Sequence, residues 1–196
     1  VRKKLLFENP ILKELFHIGF VNLYQNALIW SFTYPMYLLS KSYNIENEIT
    51  LNKYDIIMSS VFFSLLLGET IADQQMFKFQ TNKYKWRANK SINIYSKDDI
   101  NKFKIGFYKD GLYKYSRHPN YFCEQSMWVT IYMWSTVYYG QNITGLGCVL
   151  LILLFQGSIW LAEMISSNKY PNYIIYKKCV NKCIPWFPKK AKYNVS

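Results

Sequence analysis

The sequence predicts an all-α fold, an integral membrane helical bundle with about four transmembrane helices, a basic cytosol- or matrix-facing loop and an amphipathic C-terminal tail. Three observations lead there. The 196 residues are half apolar and nearly one-fifth aromatic, yet mean hydropathy is close to zero, because apolar runs alternate with lysine- and asparagine-rich stretches. Four of those runs, at about 16–39, 55–79, 120–139 and 143–165, reach the roughly 20 helical residues that a bilayer core of ~30 Å requires. If these helices cross in turn, 22 of the 24 Lys and Arg residues fall on one side, and only Lys41 and Lys53 on the other. This positive-inside asymmetry directs the basic face to the cytosol, from an endoplasmic reticulum membrane, or to the matrix, from the mitochondrial inner membrane.

Each segment has its own reason. Residues 1–14 are a basic, amphipathic lead-in, and 15–196 form a single membrane domain. The first helix carries Asn22, Gln25 and Asn26, with Pro35 near its far end. Such polar groups need partners in lipid, so this helix should face other helices or a cavity. Residues 40–54 form a short polar loop. The second helix bears Glu69 and Asp73, four apart and so on one face. The segment 80–110 is long, basic and aromatic, the character of a lid or binding loop. Helices three and four form a hairpin through 140–145, and the tail, 166–196, reads as a short amphipathic helix followed by the Pro- and Trp-anchored "IPWFP".

Composition also excludes. The net charge of +12 would suit nucleic acid, but the lysines are spread over juxtamembrane loops without a recognisable nucleic-acid module, so no nucleic-acid partner is expected. Cys123, Cys148, Cys179 and Cys183 are too few and too scattered for a disulfide framework, and no second ligand pair supports a metal site. The chain begins at Val1, which reads as a missing or processed N-terminus, and no cleavable signal peptide is recognisable. The glycosylation triplets at Asn142 and Asn194 read as chance in an asparagine-rich chain.

Two clusters could carry chemistry. Glu69 and Asp73, followed by Gln74, Gln75 and Lys78, either end the second span at the headgroups or form a polar wall for a cofactor's ribose or amide. The second cluster is "SRHPNYFCE" (116–124). Pro119 suits the first position of a helix, where its missing N–H costs nothing. Arg117 and His118 then flank an N-terminal dipole end that suits an anion such as phosphate. Asn120 and Glu124 continue along one face of the same helix. Alternatively Arg117 snorkels to headgroups and His118 is a cap. In the tail, Tyr173 and Tyr176 share a face, as cofactor contacts or as ordinary interfacial tyrosines.

These residues resemble a known family. "GLYKYSRHPNYFCE" (111–124) is similar to the Gly-Leu-Trp-Arg-Tyr-Ser-Arg-His-Pro-Asn-Tyr-Phe-Gly-Glu signature of the steroid 5-alpha-reductase-like membrane proteins. "ETIADQQMFKF" (69–79), "KYPNYIIY" (169–176) and "IPWFP" (184–188) resemble further family segments in the same order. The wider superfamily holds NADPH-dependent sterol reductases and S-adenosylmethionine-dependent isoprenylcysteine carboxyl methyltransferases. The resemblance implies a cofactor pocket among the C-terminal helices. It puts Asp73 and Glu69 on the helix that contacts the nicotinamide dinucleotide, Lys78 near phosphate, and Asn120 on the cofactor. Arg117 and His118 match the signature turn, Tyr121 and Glu124 its substrate end, and Tyr173 and Tyr176 the tail segment that closes over the cofactor. Glu124 and Tyr176 are then the candidate catalytic groups. Cys123 departs from the family's Gly, and the family's N-terminal helices are absent or reduced.

Three functions follow as expectations. The first is an NADPH-dependent reductase of a lipidic or steroid-like enone or alkene, with membrane lipids and a hydrophobic small molecule as partners. The second is a reductase-derived structural subunit of a membrane complex that retains a bound nucleotide or lipid. S-adenosylmethionine chemistry ranks third, because "AEMISS" offers only Glu163 where the methyltransferases show a Glu-Glu pair.

Overall fold

A computed structural model describes residues 14, 19, 23–45, 51–88 and 95–189, with side chains omitted for 42–45. Most of the basic lead-in, the start of the first helix, the middle of the 80–110 segment and the triplet at Asn194 lie outside the described residues. The fold is all-helical, with no strand among the described residues. In order come α1 (Gln25–Ile45), α2 (Lys53–Ala88), α3 (Lys97–Ile105), a 3₁₀ turn (Gly111–Lys114), α4 (Pro119–Tyr139), α5 (Gly145–Lys169) and α6 (Tyr173–Cys179).

Local chemistry sets several of these ends. Asn52 and Asp55 exchange bonds at the start of α2: the Asp55 N–H donates to the Asn52 carbonyl and the Asn52 N–H to Asp55 Oδ2, both at 2.9 Å. The second bond is the acid half of a capping box, and Asn52 Oδ1 accepts the Tyr54 N–H, so donors that the first turn leaves open are satisfied. Ser96 caps α3 by accepting the Asp99 N–H at 3.1 Å, and Gly106 closes it. Pro119 opens α4, as its fixed φ favours. The second helix runs nine residues past the expected stop at 79, because "QTNKYKWRA" contains no breaker and good helix formers dominate it. The expected 80–110 loop is therefore partly helix, at 80–88 and again over α3.

Two helices, α2 and α5, are long and apolar enough to cross a membrane, by length and composition. The Tyr, Ser, Thr and Gln residues of α1 and α4 dilute their hydropathy below that standard. Much of α2 and α5 is exposed in the chain, and large apolar side chains are among the exposed ones, including Phe63, Leu67, Ile71, Trp160 and Leu161. Such a surface suggests association with a membrane.

The described chain falls into two compact units, residues 1–58 with 128–153, and 59–127 with 154–196. In the first, Phe32 meets the Trp128 ring edge-on at 4.5 Å, and Leu28, Ile131, Cys148 and Leu151 are buried. Buried Asp55 is satisfied there by Trp134 Nε1 at 2.7 Å and the Tyr138 hydroxyl at 2.7 Å. The second unit holds an aromatic core of Tyr173, Tyr176, Cys179 and Val180, with Phe107 and Tyr170 packed against it.

Candidate functional site

The second unit encloses a cavity of about 440 Å³, within the size range of small-molecule sites. Four stretches supply its walls, one of them Gly106, Phe107 and Tyr108 just after α3. Met76, Gln80 and Lys83 come from one face of α2, at helical spacing. The turn into α4 contributes Tyr113, Arg117, His118, Asn120 and Tyr121. Ser166 and Lys169 at the end of α5, then Tyr170, Tyr173 and Tyr176, complete the lining.

The rim is built on one carboxylate. Arg117 Nε donates to Glu163 Oε1 at 2.6 Å, His118 Nε2 lies 3.2 Å from the same oxygen, and Lys177 Nζ is 3.2 Å from Oε2. The Arg117 and Glu163 side chains are both almost wholly buried. Arg117 Nη1 also donates to the carbonyls of Lys177 and Val180. The guanidinium therefore ties the signature turn to α5 and to the tail. It does so by charge-assisted bonds, the stronger kind. Backbone bonds reinforce the tie: the Arg117 N–H donates to the Asn181 carbonyl at 2.9 Å, and the Ser116 hydroxyl to the Cys183 carbonyl.

The tyrosines divide by role. Tyr176 is buried, and its hydroxyl donates to the Tyr113 carbonyl at 2.5 Å, so it fastens α6 to the 3₁₀ turn. Tyr121 stacks on His118, with ring centroids 5.6 Å apart and planes 19° from parallel. Tyr173 packs edge-on against Phe107. Burial, then the Glu163 charge, push its phenol up to about 12, with Arg117 opposing. Burial first, then Asp73, likewise raise the Tyr113 phenol. Both phenols keep their protons at neutral pH and can donate.

The expected site residues sort as follows. Arg117, His118, Asn120, Tyr121, Tyr173 and Tyr176 all line the cavity. Asp73 is joined to it through Asn120, whose Nδ2 donates to Asp73 Oδ1 at 3.0 Å. Glu69 and Glu124 are half-buried within electrostatic reach of each other and of Asp73, beside the cavity rather than in its lining. Lys78 lines a separate crevice with Phe79, Asn82 and Lys102. Lys83 stands in the cavity instead, buried, with Nζ donating to the Gly106 carbonyl at 2.9 Å. Glu163, Lys83, Tyr113 and Tyr170 were not expected as site residues. Glu163 had a signal, a lone acid closing an otherwise apolar helix.

The cavity combines polar, cationic and aromatic groups. Gln80 and Asn120 offer amides, Ser166 a hydroxyl, Lys83 and Lys169 cations, and the tyrosines flat faces for stacking. No group of His, Cys, Asp and Glu suited to a metal ion occurs among the described residues.

Comparison with known proteins gives a family without a function. Residues 4–182 match the family described as "Protein of unknown function (DUF1295)". A relative from Schizosaccharomyces pombe, "Uncharacterized protein C594.04c", is 28% identical over 173 residues, covering 87% of this chain and 49% of that protein. The chain thus spans about half the length of that relative. No solved structure matches.

Proposed function

Because the chain belongs to that family, whose function its description leaves open, we propose from the site itself that it is a membrane-embedded, NADPH-dependent reductase of a lipidic or steroid-like enone or alkene. One observation carries the reading: six side chains that the steroid 5-alpha-reductase-like resemblance assigns to the cofactor or the substrate end line one cavity of suitable size. On this reading the chain crosses the membrane four times, with its basic face toward the cytosol or the matrix.

When bound, the nicotinamide supplies hydride to the carbon beta to a carbonyl. The chain's own residues do the rest. Lys83 and Lys169 offer charge to phosphate, and Asn120, oriented by Asp73, offers an amide. Tyr173 retains its proton and can donate a hydrogen bond to a developing oxyanion. Tyr176 positions the tail through Tyr113. Glu124, with Glu69 and Asp73, would act at the substrate end. S-adenosylmethionine fits less well, because the cavity's lysines would repel a cationic cofactor.

A structural-subunit reading has one observation in its favour: Arg117 is committed to Glu163 and to two carbonyls, as in a scaffold. Titrating detergent-purified chain with NADPH, NADH and S-adenosylmethionine separates the cofactors, and NADPH oxidation on adding a lipidic enone separates the reductase from a subunit that only retains nucleotide. NADPH should bind selectively. Asn120→Ala and Lys169→Ala should each weaken it about tenfold, as for loss of one bond to a charged or polar partner. Absence of binding by all three ligands would sink both enzyme readings and leave the subunit.

A further inference from the structure

The tail carries an aromatic wedge that neither the cavity nor the helix packing uses. Ile184, Trp186 and Phe187 are 66%, 65% and 77% exposed, three large apolar side chains within four residues. Their backbone is nonetheless held in place. The Trp186 N–H donates to the Tyr115 carbonyl and the Lys189 N–H to the Cys179 carbonyl, each at 2.9 Å. Pro185 and Pro188 flank Trp186 and Phe187 and fix φ at both positions. Phe187 meets the half-exposed Tyr115 ring edge-on at 6.2 Å, which extends the apolar patch. A frayed terminus would show none of this order.

Position and charge say what covers the patch. Tyr115 stands four residues before Pro119, where α4 begins, so the wedge lies level with the basic end of that helix rather than along its middle. Lys114, Lys178 and Lys189 are exposed in the same segments. The nearby acids are already paired, Asp110 with Lys102, and Glu163 with Arg117 and Lys177. The surroundings are therefore net positive. Ordered aromatic side chains among lysines, at the end of an apolar helix, match the chemistry of a membrane's anionic headgroup layer.

We propose that Ile184, Trp186 and Phe187, with Tyr115 and the flanking lysines, form an interfacial anchor that inserts into an anionic lipid surface. The proposal rests on the membrane reading above and adds a lipid preference and a location to it. The anchor bears on the cavity, because Trp186 and Cys183 are bonded to Tyr115 and Ser116, the residues that lead into Arg117 and His118.

The test uses the full chain in nanodiscs of phosphatidylcholine, with or without added phosphatidylserine. Tryptophan fluorescence is quenched by lipids brominated near the headgroup or near the chain end, in the wild type and in Trp186→Phe. Trp186→Phe should remove a component quenched by the shallow bromines, and that component should grow when phosphatidylserine is present. Lys178→Glu with Lys189→Glu keeps every tryptophan and should abolish the dependence on phosphatidylserine, which serves if Trp186→Phe does not fold. Unchanged shallow quenching in Trp186→Phe, or a Trp186 signal quenched by acrylamide equally in both lipids, overturns the anchor. Trp160, exposed on α5, supplies the control. If deep bromines quench neither it nor any other tryptophan, the membrane reading fails and the anchor with it.

Discussion

Glu163 is where a single residue matters most. One carboxylate answers a guanidinium, an imidazole and an ammonium, and two of those groups stand on the turn that lines the cavity. Glu163→Gln keeps the shape and removes the charge, leaving Arg117 buried and only half answered. Breaking a buried pair in this way should cost about 3 kcal/mol. Chemical unfolding of the purified chain measures it, and a loss under about 0.5 kcal/mol, typical of an exposed pair, would mean that the backbone carbonyls alone hold Arg117. This contact also marks a limit of legibility. The turn from Arg117 to Tyr121 could be read from local order, since Pro119 and its neighbours announce a helix start. The partner of Arg117 lies 46 residues away, and nothing local encodes which acid will come round to meet it.

At the scale of elements, two glycines fix how closely helices approach. A Cβ added at Gly147 on α5 would stand 2.6 Å from the backbone of Ser31 on α1, and backbone cannot turn aside. A Cβ at Gly68 on α2 would meet only the Cys123 sulfur of α4, at 3.0 Å, and a side chain can give by a few tenths of an ångström. Gly147→Ala should therefore lose roughly 2–3 kcal/mol, as overpacking does, and Gly68→Ala clearly less. Cys123→Gly should recover what Gly68→Ala loses, with a coupling of about 1 kcal/mol in a double-mutant cycle read by thermal unfolding. Equal losses at the two glycines would contradict the distinction. The same contact accounts for the Cys that stands where the resembled family has Gly: the bulk added on α4 is met by a residue without a side chain on α2. The resemblance points to Lys78, but helix length is what brings Lys83 to the cavity. With α2 ending at 79, Lys83 belongs to a loop. With the helix continuing to Ala88, Lys83 joins Met76 and Gln80 on the cavity face, and Lys78, five residues earlier, turns toward another crevice.

For the molecule as a whole, the charge distribution makes the boldest claim. Hydropathy alone marks α2 and α5 as able to cross a bilayer, and leaves α4 undecided because its tyrosines, tryptophans and hydroxyls weaken the signal. The charge pattern supports the proposed crossing, since Gln125 to Ala162 contains no charged residue and lysines follow further out on both flanks. If α4 and α5 cross as a hairpin, the 140–145 turn lies on the side opposite the tail. An epitope inserted after Gln141, an exposed turn residue, should then be shielded from antibody or protease added on the basic side of sealed vesicles. An epitope at the C-terminus of this chain should be reached at once from that side. The unmodified triplet at Asn142 would not report topology, because its side chain accepts the Thr144 N–H at 3.0 Å and is engaged in starting α5. Should both epitopes be accessible from one side in intact vesicles, the hairpin lies on the membrane rather than through it. The cavity, built from the ends of α2, α4 and α5, would then open at a surface without the lipid depth from which a hydrophobic substrate must come.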